Sequence, residues 1–389
     1  MYIQSTNTNQ IKMKKLFYLL VVVVVVFISC GPQQNKNQDI LPGRLGSENL
    51  ALKNDKRLNP QLLSGLSEFG LDSIAPPPPV SVSSSVEERL EFIAASEPLY
   101  RGLFAGIYQS IDLPNNVINE TRIIKDEDGN EIKLYISKPK NISGKLPSVL
   151  HIHGGGMAIL TANDPNYIHW RQSLAAKNLI VVGVEFRNIG GVLGNNPFPA
   201  GLNDCVYALK WVHQNKEELG ISKIIVSGES GGGNLTIATA LKAKEDGIID
   251  YIDGVYAQCP YISNLYDYQD KKLKSLVEND TYFLRVDMLN IMASLYDGVN
   301  SKNPLAWPYH ADLEMLKGLP PHVISVNELD PLRDEGLEFY NKLKNAGVSA
   351  RSKVIKGTVH ASEGIFPTKI PEIHNSALED IKNFAYSLE

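Results

Sequence analysis

The sequence predicts an α/β fold in which a mostly parallel, eight-stranded sheet includes antiparallel lead-in strands and carries a helical cap. Short apolar runs alternate with helical stretches between residues 148 and 355, an order typical of βαβ crossovers and of a parallel sheet covered on both faces. Two strand-like runs at 117–125 and 131–137 come first, and the Asp-Gly-Asn between them predicts a hairpin turn. The alternation lapses between residues 260 and 308, where aromatic residues accumulate.

The N-terminus has the pattern of a secretory signal peptide, which we assign to residues 1–30. Three lysines precede an apolar run over 16–28, which is shorter than the roughly 20 residues that span a bilayer. The run ends just before Cys30 in a sequence that resembles the lipobox of bacterial lipoproteins, although Phe27 stands where leucine is usual. The resemblance implies lipidation of Cys30, export to the periplasmic or cell-surface face of a membrane, and membrane contact through a lipid anchor. The alternative is a plain signal peptide with an incidental cysteine. Met13, followed by two lysines, offers a second possible translation start.

Residues 31–85 are rich in Asn, Gln, Ser, Leu and Pro, with four consecutive prolines at 76–79. This composition is typical of a partly extended and partly flexible tether, so we expect mostly a linker. Leucines at helical spacing between 58 and 66 leave a short packed helix open. The folded domain is then expected over 86–389.

The folded domain is expected to begin with a helix behind Ser85, because apolar residues repeat every three to four positions after a serine cap and first-turn glutamates. An insertion at 261–308 would lie above the carboxyl ends of the strands, where ligands bind in open α/β sheets. Together with residues 86–116, this insertion is expected to form the cap. Its tyrosines are consistent either with packing or with a ligand pocket. The later strands are expected at 148–153, 179–186, 223–227, 252–258, 322–327 and 352–355, and the helices at 168–177, 203–215, 231–244 and 337–346.

Residues 228–232 read GESGG and lie between a predicted strand and a predicted helix. A GxSxG sequence in that context places a serine on a sharp turn with its hydroxyl exposed. Ser230 is therefore the predicted nucleophile. The glycines on either side leave room for so tight a turn.

Residues 153–156 read HGGG and directly follow a predicted strand. Glycine N–H groups can approach a ligand closely, which suits donors to a developing oxyanion. We predict an oxyanion hole that involves Gly154, Gly155, Gly156 and Gly231, with Gly154 chiefly shaping the loop. A phosphate-binding loop is disfavoured, because neither GxGxxG nor a following GK[ST] is present.

A serine nucleophile needs a base and an acid that orients the base. His360 follows the last predicted strand and is the predicted base, whereas the other seven histidines are interpreted as structural or solvated. Glu328, Asp330, Asp334 and Glu335 are the candidate acids. Asp330 is preferred because the proline after it fixes a turn at the end of the strand, while the last two resemble first-turn helix charges.

These motifs together resemble the hormone-sensitive-lipase-like esterases, a bacterial group with HGGG upstream of a GDSAGG-type elbow. The resemblance runs from about residue 120 to the C-terminus and includes Phe-Arg at 186–187, Phe-Pro-Ala at 198–200, and DPLRD at 330–334. It implies the α/β-hydrolase fold, hydrolysis of carboxylic esters through an acyl-enzyme, and no metal or cofactor. The expected substrate is a small-molecule ester.

Three positions depart from the family pattern. Glu229 and Gly231 stand where Asp and Ala are more common, and Ala-Ser rather than Gly-Phe follows His360. The backbone donor at residue 231 survives the exchange. The residues after His360 leave the floor of the acyl pocket, and so the preferred chain length, open.

Composition argues against several other classes of function. The net charge is −5, with 43 acidic and 38 basic residues, and no long basic run lies outside the N-terminus, so nucleic acid is not an expected partner. Cys30, Cys205 and Cys259 match no metal-ligand spacing and predict no disulfide framework.

The rival functions are a non-catalytic ligand-binding lipoprotein on the same fold, a prolyl-oligopeptidase-like peptidase, and an adhesion or scaffold lipoprotein. The sequence leaves the oligomeric state open.

Overall fold

The computed structural model describes residues 41–268 and 270–388 and contains an eight-stranded sheet with the order β1-β2-β4-β3-β5-β6-β7-β8. The predicted signal peptide and its Cys30 lie outside the described residues. The strands are β1 Val117–Lys125, β2 Glu131–Pro139, β3 Leu146–Ile152, β4 Ile180–Glu185, β5 Ile221–Glu229, β6 Gly254–Gln258, β7 His322–Asn327 and β8 Ala350–Ile355.

The sheet confirms the predicted fold class. Strands β1 and β2 form an antiparallel hairpin, β2 pairs antiparallel with β4, and every other pair is parallel. The central strands are buried along nearly their whole length, as continuous apolar runs require when helices cover both faces. The carboxyl ends of β5, β6 and β7 consequently meet at one edge of the sheet.

Helices cover both faces of this sheet. The helices of eight or more residues are Pro60–Glu68, Val86–Tyr108, Pro165–Ala175, Ala200–Gln214, Gly231–Glu245, Val286–Tyr296, Arg333–Asn345 and Pro371–Ser387. The short helices are Gly43–Gly46, Lys216–Leu219, Ser275–Glu278, Leu313–Leu316 and Ser362–Ile365, with 3-10 turns at Leu52–Asn54, Ile249–Tyr251 and Pro308–His310. In the part of the chain that the structure describes, no helix is both long and apolar enough to cross a membrane.

The prediction of a linker over residues 31–85 is wrong for residues 43–69. This stretch, here called the N-terminal strap, contains the helix Pro60–Glu68. Leu52, Leu62 and Leu66 are at most 1% exposed and belong to the main hydrophobic core. Burial of such side chains stabilises a fold by roughly 1.5–3 kcal/mol each. The helical spacing of the leucines is therefore a better guide to this stretch than its polar composition. Residues 70–85 carry no helix or strand.

Two helices lie at the positions predicted for the cap. Val86–Tyr108 begins at Ser85 with a capping box, in which the hydroxyl accepts from the Glu88 N–H at 3.1 Å. The second helix, Val286–Tyr296, belongs to the insertion after β6, and a side-chain bond from Arg89 to Ser294 joins the two. Both predicted cap segments contribute residues to the pocket described below.

Candidate active site

Ser230 occupies a strained turn between β5 and the helix Gly231–Glu245. Its φ of 59° and ψ of −121° are unusual for a residue with a side chain, and such strain concentrates at functional sites. The backbone around it is fixed, because the Ser230 N–H donates to the Gln258 carbonyl at 3.0 Å and the Ser230 carbonyl accepts from the Tyr261 N–H at 3.1 Å. A Cβ at Gly228 or Gly232 would lie within 2.3 Å of the Ile152 carbonyl oxygen, so this elbow requires glycine at both positions.

His360 and Asp330 form a buried hydrogen-bonded pair. The imidazole Nδ1 lies 2.7 Å from Asp330 Oδ2, and the two residues are 4% and 0% exposed. Asp330 Oδ1 accepts from the Leu332 N–H at 2.9 Å, which fixes the carboxylate after its proline turn. Of the four candidate acids, all of them described, Asp330 is the one bonded to His360.

The HGGG loop lies against the nucleophile elbow. A Cβ at Gly231 would lie 2.7 Å from the Gly156 nitrogen, so the two backbones are in close contact. Among the described residues, the N–H groups of Gly155, Gly156 and Gly231 have no hydrogen-bond acceptor, as expected of donors reserved for a ligand. Gly155 and Gly156 have φ of 102° and 64°, which glycine adopts readily.

Gly154 belongs to the predicted oxyanion hole as the residue that shapes its loop, and its N–H is not available as a donor. Its N–H donates to Glu229 Oε1 at 2.7 Å, so this donor is already used. Glu229 Oε2 lies 3.1 Å from Nε2 of the buried His151. Through these contacts Glu229 connects the HGGG loop to the elbow that contains Ser230. The sequence does not predict this positioning contact, because Glu229 is distinguished there only as a departure from the usual Asp.

The other histidines have structural surroundings. His153 is fully buried, stacks on Phe186 at 4.3 Å, and has its pKa lowered to about 3 by burial. His213 stacks on Tyr251 at 3.6 Å. His310 Nε2 lies 2.7 Å from the Ser263 carbonyl oxygen. These three histidines accordingly have packing or hydrogen-bond partners of their own.

One group of possible metal ligands is present in the described residues, and it overlaps the candidate site. Ligand atoms of Cys259, Asp330 and His360 lie within 4.8 Å of one another. Burial raises the pKa of the Cys259 thiol well above its ordinary value, which opposes the thiolate that a metal prefers. The Nδ1 atom of His360 is already bonded to Asp330, so the group is better suited to a hydrogen-bonded pair.

A largely apolar pocket opens in front of Ser230 and His360. The lining includes Glu229 and Glu363, and no lysine or arginine among the described residues takes part. The apolar walls come mainly from the two cap segments and the turn after His360: Tyr100, Phe104, Phe283, Leu284, Met288, Leu289, Met292 and Ile365.

The tyrosines of the insertion mostly pack rather than line the pocket. Tyr261, Tyr266, Tyr282 and Tyr296 are at most 2% exposed, and none of them belongs to the pocket lining. Tyr261 stacks on Tyr266 with ring centroids 5.0 Å apart. They accordingly support the cap from within the core.

Comparison with known proteins identifies the family of this chain. A family model described as the alpha/beta hydrolase fold matches residues 149–363, more than half of the chain. The chain belongs to the α/β-hydrolase fold family. This α/β hydrolase is 32% identical over 261 residues to carboxylesterase NlhH of Mycobacterium tuberculosis, covering 62% of this chain and 75% of the relative. It is 30% identical over 260 residues to an arylesterase of Saccharolobus solfataricus, covering 65% and 80%.

Solved structures narrow the relationship within the α/β hydrolases. Brefeldin A esterase, a bacterial homologue of human hormone-sensitive lipase, has a TM-score of 0.85 and 43% identity, covering 90% of this chain and 98% of that one. Esterase Est22 has a TM-score of 0.77 and 37% identity, covering 87% and 99%. With the curated relatives, these likenesses confirm a carboxylesterase-like hydrolase of the hormone-sensitive-lipase-like group.

Proposed function

We propose that this hydrolase cleaves carboxylic esters through an acyl-enzyme formed on Ser230, with His360 as the general base and Asp330 as the residue that orients it. The contact between Asp330 and His360 at 2.7 Å carries the proposal. It supports the tautomer in which Nδ1 carries the proton, so that Nε2 faces the proton of the Ser230 hydroxyl. Ser230 and His360 line the same pocket, as the two reacting groups must.

The proposed reaction has two symmetrical halves. His360 Nε2 takes the proton of the Ser230 hydroxyl as Oγ bonds to the ester carbonyl carbon. The tetrahedral intermediate collapses, the bond to the alcohol oxygen breaks, and His360 gives its proton to the departing alcohol. Water then attacks the acyl-enzyme and gives a proton to His360. The bond between the acyl carbon and Oγ breaks, His360 returns the proton to Oγ, and the carboxylic acid leaves.

The oxyanion of each tetrahedral intermediate would accept hydrogen bonds from Gly155, Gly156 and Gly231. Their N–H groups lack acceptors in the described part of the chain, and Gly231 begins a helix whose positive end faces the elbow. One such donor contributes about 2.7–4 kcal/mol to the transition state. Gly154 would shape the loop through Glu229.

The pocket favours uncharged esters. Its walls are largely apolar, and no lysine or arginine of the described lining is available to pair with an anionic substrate. The residues after His360 contribute Ala361, Glu363, Gly364 and Ile365 to the lining, so this departure from the family pattern bears directly on the choice of ester.

We also propose export as a bacterial lipoprotein, which rests on the sequence pattern around Cys30 alone. Metabolic labelling with a radioactive fatty acid tests it in a bacterial host. The full chain should carry the label and fractionate with membranes, and Cys30→Ser should do neither. Equal labelling of both proteins would contradict the proposal.

Turnover of p-nitrophenyl acetate tests the catalytic proposal. Ser230→Ala should lower kcat by at least about 10⁴-fold, and Asp330→Asn should cost a similar factor by disfavouring the required tautomer. Ser222→Ala, at the opposite end of β5, is the matched control and should keep the kcat of the wild type. Unchanged turnover in folded Ser230→Ala would refute the assignment.

A further inference from the structure

We propose that Asn327 is a positioning residue that holds the turn around His360 in its reactive geometry, an inference that rests on the proposed function. Asn327 ends β7 and is 0% exposed. No substrate atom reaches it through the pocket, because it is absent from the described lining. Its action would therefore be exerted through His360.

The carboxamide of Asn327 bonds to the chain on both sides of His360. Its Nδ2 donates to Thr358 Oγ1 at 2.9 Å and to Glu363 Oε2 at 2.8 Å. Its Oδ1 accepts from the Ala361 N–H at 3.1 Å. One side chain thus contacts the residues two before, one after and three after the imidazole.

In the described chain, neither the backbone N–H nor the carbonyl of His360 forms a hydrogen bond. The turn around His360 therefore needs support from a side chain. Ala361 follows with a φ of 52° in the left-handed region, which is unfavourable for a residue with a Cβ. Such a conformation persists when neighbouring contacts determine it, and Asn327 bonds the N–H of this residue.

Asn327 also fixes the turn relative to the orienting acid. It lies three residues before Asp330, and backbone bonds join the two loops, from the Leu329 N–H to the Thr358 carbonyl at 2.9 Å and from the Glu328 N–H to the Ile355 carbonyl at 3.0 Å. The Asn327 carboxamide continues this contact between the two loops beyond His360, through its bonds to Ala361 and Glu363. A displacement of about 1 Å in a reacting group can cost about 100-fold in rate, so loss of the clamp should appear in kcat.

The partner Glu363 is a buried acid in the same network. It is 1% exposed, and burial raises the pKa of its carboxyl. The Asn327 amide donates to it irrespective of protonation, since a carboxyl keeps an acceptor oxygen in both forms. The interaction therefore orients the turn without requiring a second charge beside His360.

Steady-state kinetics of the full chain with p-nitrophenyl acetate test the proposal. Asn327→Ala should lower kcat by about 10- to 100-fold while KM changes less than about threefold, because the pocket walls remain. Asn327→Asp keeps the acceptor for Ala361 but loses both Nδ2 donors and brings a second carboxyl against Glu363, so its kcat should also fall. Asn264→Ala is the control, because this buried side chain bonds only Gly298 and Ser301 among the described residues, and it should lower the melting temperature with kcat unchanged.

A spectroscopic readout separates positioning from mere stability. The downfield proton resonance of the imidazole N–H bonded to Asp330 should shift or broaden in Asn327→Ala and stay in place in Asn264→Ala. An unchanged resonance and kcat in folded Asn327→Ala would overturn the proposal. If Ser230→Ala retained the wild-type kcat, the proposed function would fail instead, and the resonance would still decide whether Asn327 positions His360.

Discussion

The carboxylate of Glu229 accepts a hydrogen bond from the Gly154 N–H at 2.7 Å. The residue before Ser230 thereby holds the first glycine of the HGGG loop. Two parts of the candidate site that are 75 residues apart in sequence are joined by this contact, and we expect it to direct the next two N–H groups of the loop.

Removal of the Glu229 carboxylate should therefore impair the transition state more than substrate binding. We expect Glu229→Ala to lower kcat by about 10- to 100-fold with a smaller change in KM, because the loop loses its fixed position. Glu229→Gln keeps an oxygen that can accept from Gly154 and should retain more activity. Equal kcat in wild type and folded Glu229→Ala would show that the loop needs no such support.

The N-terminal strap should contribute to stability and to catalysis through Arg57. This guanidinium forms an ion pair with Glu278 and donates to Asn279 Oδ1 at 3.1 Å, and Asn279 Nδ2 donates to the Asp330 carbonyl at 3.1 Å. Hydrogen bonds to charged groups contribute about 1.5–3 kcal/mol each, so Arg57→Ala should lower the free energy of unfolding by about that amount and also reduce kcat.

Chemical denaturation and ester turnover of the same preparations check this expectation. Lys56→Ala is the control, since Lys56 is exposed and adjacent in sequence. A strap that acted as a passive tether would give the two variants the same unfolding curve. Loss of stability with full kcat would confine the role of Arg57 to folding.

Glu335 should make stability depend on pH. Burial raises the pKa of its carboxyl to about 8, despite hydrogen bonds from Ser263 and the Ile262 N–H that favour ionisation. The native state then holds this proton more tightly than the unfolded chain, so its contribution is fully present below about pH 4.5 and is lost as the pH rises through about 8.

The free energy of unfolding of Glu335→Gln, measured across this range, isolates the effect. The variant carries no ionisable group at this position, so its stability should improve relative to the wild type as the pH rises, by at most about 1.4 kcal/mol per pH unit. The exposed Glu372→Gln should run parallel to the wild type. A parallel curve for Glu335→Gln would indicate that the buried carboxyl is ionised throughout.

The parts of this molecule that depend on local chemistry could be predicted from the sequence. The alternation of strands and helices predicts the sheet, and the glycines around Ser230 predict the elbow because no Cβ fits there. The proline after Asp330 selected the acid that bonds His360. Each of these inferences draws on a few consecutive residues.

The remaining features depend on partners distant in the chain. Leu62 and Leu66 lie in a polar, proline-containing stretch, and their burial requires a core built by residues far downstream. Glu229 contacts Gly154, and Asn327 contacts Thr358, Ala361 and Glu363. A single sequence does not indicate which polar side chain will face which loop. The one available signal for Asn327 was its place at the carboxyl end of a parallel strand, where sites form in such sheets.

The identity of the nucleophile is tested most directly by mass spectrometry of the full chain after reaction with a fluorophosphonate. We predict a single covalent adduct on the peptide that contains Ser230, loss of ester turnover in proportion to labelling, and no adduct on Ser230→Ala. An adduct on a different residue that accompanies loss of turnover, or an active protein that remains unlabelled, would contradict the account.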